Sequence, residues 1–205
     1  MPIRRPPGRA GRIWLARRLE VARRGAELLD LKLHALAGEE DRLAGEARAR
    51  DRRWAEAAAE AGRWGLRAAL LGGSSQLLPV PGGETARADV RWGTWMGVTY
   101  PMAAELRPGA PGPATVGGSA AFDVAVEAYR AASEAAVACA SCNRALELVR
   151  AELADTRRRH RTLETRWIPL LEAELRRADQ TLDELEREDR VRARWSRGRA
   201  HRTRR

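Results

Sequence analysis

Lysine is nearly absent from this chain of 205 residues: of its 38 basic residues only Lys32 is not arginine. Such a bias fits a GC-rich genome and says little about function. Phenylalanine occurs once, at Phe122. Cysteine is confined to Cys139 and Cys142, which excludes a disulfide-stapled scaffold and is consistent with a reducing cytosol. No run approaches the roughly 18 apolar residues of a membrane-crossing helix, so direct membrane insertion is not expected. The glycine stretches GGSSQ and PGG lack the G-x-x-x-x-G-K-[ST] spacing that cradles phosphates, so no nucleotide or other cofactor is expected. The histidines, His34, His160 and His201, are scattered, which argues against a metal or catalytic set. Carboxylates occur throughout, and on exposed helices they are usually solvated. Enzymatic chemistry within this chain is therefore not expected.

What is abundant is charge, and it is unevenly placed. Residues 1–24 hold eight Arg against Glu20, a balance of +7; residues 187–205 hold nine Arg against Glu188 and Asp189, again +7. The formal net charge of the whole is +10, so everything between the ends is slightly acidic. Basic ends attract nucleic acid, anionic lipid or an acidic protein surface, and charge alone does not choose among them.

Hydrophobic spacing decides the architecture. One heptad register runs Leu15, Leu19, Ala22, Ala26, Leu29, Leu33, Leu36, Glu40, Leu43, Ala47, Arg50, Trp54, Ala57, Ala61, Trp64, Ala68, Leu71. Steps of three and four alternate throughout, and only Glu40 and Arg50 are charged. A sustained 3.5-residue repeat keeps the seam facing a partner and imposes a left-handed supercoil. A second segment carries Cys139, Cys142, Leu146, Val149, Leu153, Thr156, His160, Leu163, Trp167 and Leu170. It resumes as Leu171, Glu174 or Leu175, Ala178, Leu182 and Leu185. The phase slips by one residue beside Pro169. Proline removes a helical hydrogen bond, so a local distortion there would let the stripe change phase.

Each helix is long enough, at roughly 90 and 115 Å, to need a partner for its stripe, and the simplest partner is the other helix. One connection makes the pair antiparallel and brings both basic termini to one tip. Between them, ARADVRW and TWMGVTY read as two short strands around Gly93, flanked by the loops GGSSQLLPVPGG and PGAPGPATVGG. The predicted fold class is all-α: a long two-helix antiparallel left-handed coiled coil with a small β-hairpin insertion. Its expected divisions are a first helix over 1–72, the loop and hairpin over 73–118, a second helix over 119–197 and a basic tail over 198–205.

Two motifs have bland readings that compete with chemical ones. Cys139-Ala-Ser-Cys142 could bind zinc or cycle as a dithiol, but no second pair exists and both cysteines fall on the apolar seam. Packing is the expected role. Of seven tryptophans, Trp54, Trp64 and Trp167 fall on the seams and are expected in the core, while Trp92 and Trp95 belong to the hairpin. Trp14 and Trp195 lie near the basic termini, where they could meet and close the coil, anchor a protein or stack on bases.

One further pattern is specific. The first helix carries Arg24, Gly25, Leu28, Leu29, Lys32 and Leu36; the second carries Thr156 to Arg159, Leu163-Glu164, Ile168-Pro169 and Glu186-Arg187-Glu188-Asp189 before the arginine tail. In order and spacing this resembles the D subunit of the V-type (archaeal and bacterial A/V-type) rotary ATPases, across both helices. Asp30, Leu33, His34, Arg161 and Thr162 depart from the usual pattern. The resemblance implies a non-catalytic central rotor shaft, cytoplasmic and peripheral to the membrane. It would couple ATP hydrolysis or synthesis in an A/B hexamer to ion (proton) transport. Implied partners are the A, B and F subunits and the socket subunit of the proteolipid ring. The resemblance also places Arg12, Trp14, Arg17, Arg18, Arg190, Arg192, Arg194, Trp195 and Arg197 at a hexamer-facing tip. The alternative of another class is a basic-ended coiled coil that binds nucleic acid, which would weaken steeply with salt.

Overall fold

The computed structural model describes residues 6–72, 84–109 and 119–202, with the side chains of 196–202 outside the description. Most of both expected loops beside the hairpin therefore lies outside the described residues. Helix α1 runs Gly8–Gly72 over 65 residues without a proline, built mainly of the strong helix formers Ala, Leu, Arg and Glu. Strands β1 (Arg87–Trp95) and β2 (Val98–Arg107) follow. Helix α2 spans Ala120–Thr162, and α3 spans Ile168–Arg202. The backbone divides into two compact units, Met1–Leu33 with Asp155–Arg205, and His34–Ala154.

In the first unit the start of α1 packs antiparallel on α3. Arg9 pairs with Glu186 at 2.9 Å, Arg12 with Asp179 at 2.5 Å and Arg23 with Glu172 at 2.7 Å, so numbers rise on one helix as they fall on the other. Between them Leu15, Leu19, Leu171 and Ala178 form a buried cluster, with Trp14, Ala22, Ile168 and Leu175 packed on it.

In the second unit the rest of α1 lies antiparallel to α2. Leu36, Leu43, Ala47, Ala61 and Ala68 are buried from one side, and Ala125, Ala132, Cys139, Cys142, Ala145, Leu146, Val149 and Leu153 from the other. The two charged residues on the seam are both satisfied. Glu40 accepts from Arg150 across the interface at 2.9 Å. Arg50 donates to the Ala138 carbonyl at 2.9 Å and also pairs with Glu46.

The expected phase slip is present and has a definite form. Residues Leu163–Trp167 make one turn of π-helix, in which the Ile168 amide donates to the Leu163 carbonyl five residues back. A proline ring at 169 would press on the carbonyl four residues earlier in a regular helix. The widened turn absorbs one extra residue just before it, so the buried position moves from the phase of Leu170 to Leu171, which is 2% exposed. The hydroxyls of Thr162 and Thr165 donate to carbonyls four residues back, a bond that also bends helices.

The same turn corrects one expectation: Trp167 is swung off the seam and is 42% exposed. Trp54 also leaves the core, at 45% exposed, and Trp64 is half-buried with its indole N–H on Glu60. An indole is too wide for a seam whose neighbours on α1 are Ala47 and Ala61.

The hairpin turns at Met96-Gly97, not at Gly93 as the sequence suggested. Both turn residues have positive φ, 50° and 81°, which a two-residue hairpin connection of the right twist requires. Gly93 instead pairs with Tyr100 mid-strand, where a Cβ would run into the Met102 side chain. β2 consequently extends to Arg107, and an irregularity at Arg91/Trp92 accommodates Pro101 and Met102. One strand does the docking: Val98, Tyr100 and Pro101 of β2 are buried, whereas most of β1 is exposed. The Tyr100 hydroxyl donates to Glu39 at 2.8 Å, and Glu39 also receives Arg42 at 2.6 Å. The Arg42 bond holds the Glu39 carboxyl below its usual range, and burial, then the bond to Glu39, push the Tyr100 phenol up.

Two outcomes follow from this packing. Leu171→Ala should lower the unfolding free energy by about 2–5 kcal/mol, as for other buried leucines, and Leu170→Ala by clearly less; urea titration of both variants checks the phase. The Tyr100–Glu39 bond, with one raised and one lowered pKa, contributes stability above the ordinary carboxylate range and below pH 10.0, and loses it outside that window. In a Tyr129→Phe background, the phenolate titration should have its midpoint above pH 10.0, and Glu39→Gln should shift that midpoint downward.

Candidate partner-binding surface

The nine arginines and tryptophans expected at one tip fall into two groups. Arg12, Trp14, Arg17 and Arg18 sit on α1 where it packs on α3. Arg190, Arg192, Arg194 and Trp195 lie on a stretch of α3 where every residue from Asp183 to Trp195 is exposed. Asp179 is opposite Arg12, and Trp195 is sixteen residues on from Asp179, about 24 Å of helix at 1.5 Å per residue. Trp14 and Trp195 therefore do not meet. Trp14 packs on the Leu15 cluster with the Arg18 guanidinium 5.1 Å from its ring, while Trp195 is 75% exposed. Arg190 pairs with Glu186 at 3.8 Å, and Arg192 with Glu188 at 3.1 Å and Asp189 at 3.7 Å, all exposed and along their own helix. Arg194 is exposed, and Arg197 lies in α3 with its side chain outside the description.

The motif residues have mostly structural surroundings. Gly25 lies where a Cβ would touch Leu163 at 3.8 Å, so the two helices approach closely there. Leu29 and Lys32 are half-buried and Leu28 is exposed. Glu164 lies 3.5 Å from His160. Ile168 packs on the first core cluster, Pro169 faces outward, and Glu186 receives Arg9; Arg187 and Glu188 are exposed.

Sequence periodicity did not reveal a groove of about 620 Å³ alongside the π turn. It is lined by Val21, Ala22, Gly25, Leu163 and Leu171, by the indoles of Trp14 and Trp167, and by Arg17 and Arg18. The signal that could have found it is the phase slip itself, since an extra residue in one helix must push a seam side chain outward.

The two thiols are buried in the other unit. Cys139 donates to Asp51 at 2.8 Å, and the Asn143 amide donates to the same oxygen at 3.3 Å. Burial first, then the Asp51 carboxylate, push the Cys139 thiol up to about 11. The Cys139 bond in turn lowers Asp51, with Asn143 adding to it. Cys142 approaches the Leu43 carbonyl at 3.8 Å, and burial raises its pKa also. A thiol held protonated and covered is a poor nucleophile and metal ligand. Among the described residues no three His, Cys, Asp or Glu side chains gather as a metal site, and no helix is long and apolar enough to cross a membrane.

Two antiparallel helical pairings, a docked hairpin and a groove lined in part by arginines define a helical protein of paired long helices. A family model for the ATP synthase D subunit matches residues 13–198, and the chain belongs to that family. It is 31% identical over 189 residues to the D subunit of the A-type ATP synthase of Pyrococcus furiosus, covering 89% of this chain and 88% of that protein. Identity to the D subunit of the A-type ATP synthase of Pyrococcus abyssi is 30% over 189 residues, with the same coverage.

The buried thiols yield a direct check. In native protein at pH 8 a maleimide should label neither cysteine appreciably, whereas both should react within minutes in denaturant. Fast labelling of the folded protein would mean that the seam around Asp51 is open.

Proposed function

We propose that the chain is the central-stalk rotor of an A/V-type ATP synthase or ATPase, a non-catalytic subunit that transmits rotation between an A/B hexamer and an ion-translocating ring. The observation that carries this reading is the match to the ATP synthase D subunit family over residues 13–198. Long helices joined along an apolar seam resist bending and twisting as a shaft must. Exposed arginines at both ends of the sequence supply attraction that tolerates many orientations, because charges attract without demanding one geometry.

In this reading Arg12, Trp14, Arg17, Arg18, Arg190, Arg192, Arg194, Trp195 and Arg197 face the hexamer. The F subunit and the socket subunit of the proteolipid ring bind elsewhere on the chain. The protein works on the cytoplasmic side, peripheral to the membrane. Its ATP chemistry belongs to the A and B subunits.

Co-expression with A, B and F from the same source tests it. The expected result is an A/B/F complex containing this chain, weakened by high salt and by neutralising several of the named arginines. A bead attached through Thr94→Cys, on the exposed hairpin edge, should then turn in one direction when ATP is added. A chain that ignored A and B but retained nucleic acid removable by salt would establish the basic-ended nucleic-acid binder instead.

A further inference from the structure

Where β2 docks on the second unit, a recess of about 300 Å³ lies between the strand, α1 and α2. We infer that it binds a small uncharged molecule with an apolar body and one carbonyl-type oxygen. A water takes about 30 Å³ of liquid volume, so the recess holds more than a single solvent molecule. Its size falls at the lower end of the range for ligand pockets, about 300–1,000 Å³. Leu43, Ala145, Pro101 and Met102 give it apolar walls. The site is independent of the rotor reading, and none of its lining residues belongs to the groove beside the π turn.

The polar groups of the recess select the ligand. Ser141 is 8% exposed, and its hydroxyl has no hydrogen-bond partner among the described residues. The helical hydroxyls of Ser133, Thr162, Thr165 and Thr181 each donate to the carbonyl four residues back. Ser141 makes no such bond and lines the recess instead. A covered hydroxyl without a partner is costly, and an acceptor on a ligand would remove that cost. Arg50, also on the lining, donates to the Ala138 carbonyl and to Glu46. The other N–H groups of its guanidinium have no partner among the described residues. Glu46 is already used on both oxygens, by Arg50 and by Arg42. What is unmet can donate, so the ligand must bring the acceptor.

Charge argues against an ion. Arg50 pairs with Glu46, and Arg42 with Glu39 and Glu46, so guanidinium groups and carboxylates match in number. Burial raises the Cys142 thiol and keeps it neutral. An anion would meet Glu46 and a cation would meet Arg42 and Arg50, with no net opposite charge to offset lost hydration. A molecule seated in the recess faces β2 as well as both helices. It therefore stabilises the docked hairpin, because only that state forms the whole site.

Methyl NMR on the full chain tests the assignment. The methionines are Met1, Met96 and Met102, so a chain labelled with ¹³C-methyl methionine carries one reporter on the recess and one at the hairpin turn. Met96→Leu and Met102→Leu assign the signals. The probe is acetophenone, with ethylbenzene as a match lacking the acceptor and benzoate as a charged match. Acetophenone should move the Met102 methyl saturably, with a Kd of about 1 mM or below for so few atoms, and leave the Met96 methyl in place. Ser141→Ala should weaken acetophenone by about three- to ten-fold, as for one neutral hydrogen bond, and leave ethylbenzene unaffected. Benzoate should bind more weakly than acetophenone.

A Met102 methyl that stays unmoved up to the solubility limit of acetophenone would mean that the recess holds only water, and would overturn the site. Benzoate binding as tightly as acetophenone would overturn the assignment to an uncharged ligand. Acetophenone binding that is indifferent to Ser141→Ala would overturn the role given to the unpartnered hydroxyl. None of these results bears on whether the chain joins an A/B complex.

Discussion

A narrow apolar seam is the constraint on which the rest of this protein depends. Its buried positions are mostly leucine and alanine, joined in the second unit by Cys139, Cys142 and Val149. Alanine costs almost no side-chain entropy and lets two backbones come close. It also offers little area, so burial alone specifies position weakly. Charged and polar groups then settle the pairing. Glu40 with Arg150, Arg50 on the Ala138 carbonyl, and Arg9, Arg12 and Arg23 on their acidic partners work as register marks. Each such exposed pair contributes about 0–1 kcal/mol. Their value lies in being satisfied in only one alignment.

Much of this was legible in the residue pattern. A 3.5-residue repeat over seventeen consecutive positions leaves few alternatives to a long paired helix, and α1 ends at Gly72 where the repeat ends. Even the defect could be read: a stripe that jumps by one residue beside a proline implies an extra residue in the turn. The repeat could not say how large a side chain the seam admits. Trp54 and Trp167 were in register yet sit at the surface, because periodicity encodes direction and not depth. The hairpin turn was misplaced for a similar reason. Gly93 looked like the obvious turn residue, but a two-residue connection needs positive φ at both positions, and Met96 accepts it where its strands can pair.

The candidate surface was the least legible part. Charge clustering along the sequence put nine residues in one place, whereas helix rise separates them into a packed group and a bare one. Clusters in sequence become clusters in space only when the helix registers align, and here Arg12 is opposite Asp179 rather than Arg194. The groove was invisible to composition, since it arises beside a tryptophan displaced by the π turn. Family membership supplies what geometry could not, namely the kind of assembly in which such a surface would be used.

The π turn has one more consequence, for direction around the helix. One residue added to an α-helix rotates everything after it by about 100°. Every side chain of α3 that follows Trp167 therefore points to a compass bearing set by five residues, Leu163 to Trp167. Removing that single extra residue would leave the composition of α3 nearly intact and still turn Glu172, Asp179 and Glu186 away from the arginines they now meet. The turn is in effect a setting of azimuth, and the charge pattern of the last helix is meaningful only at that setting.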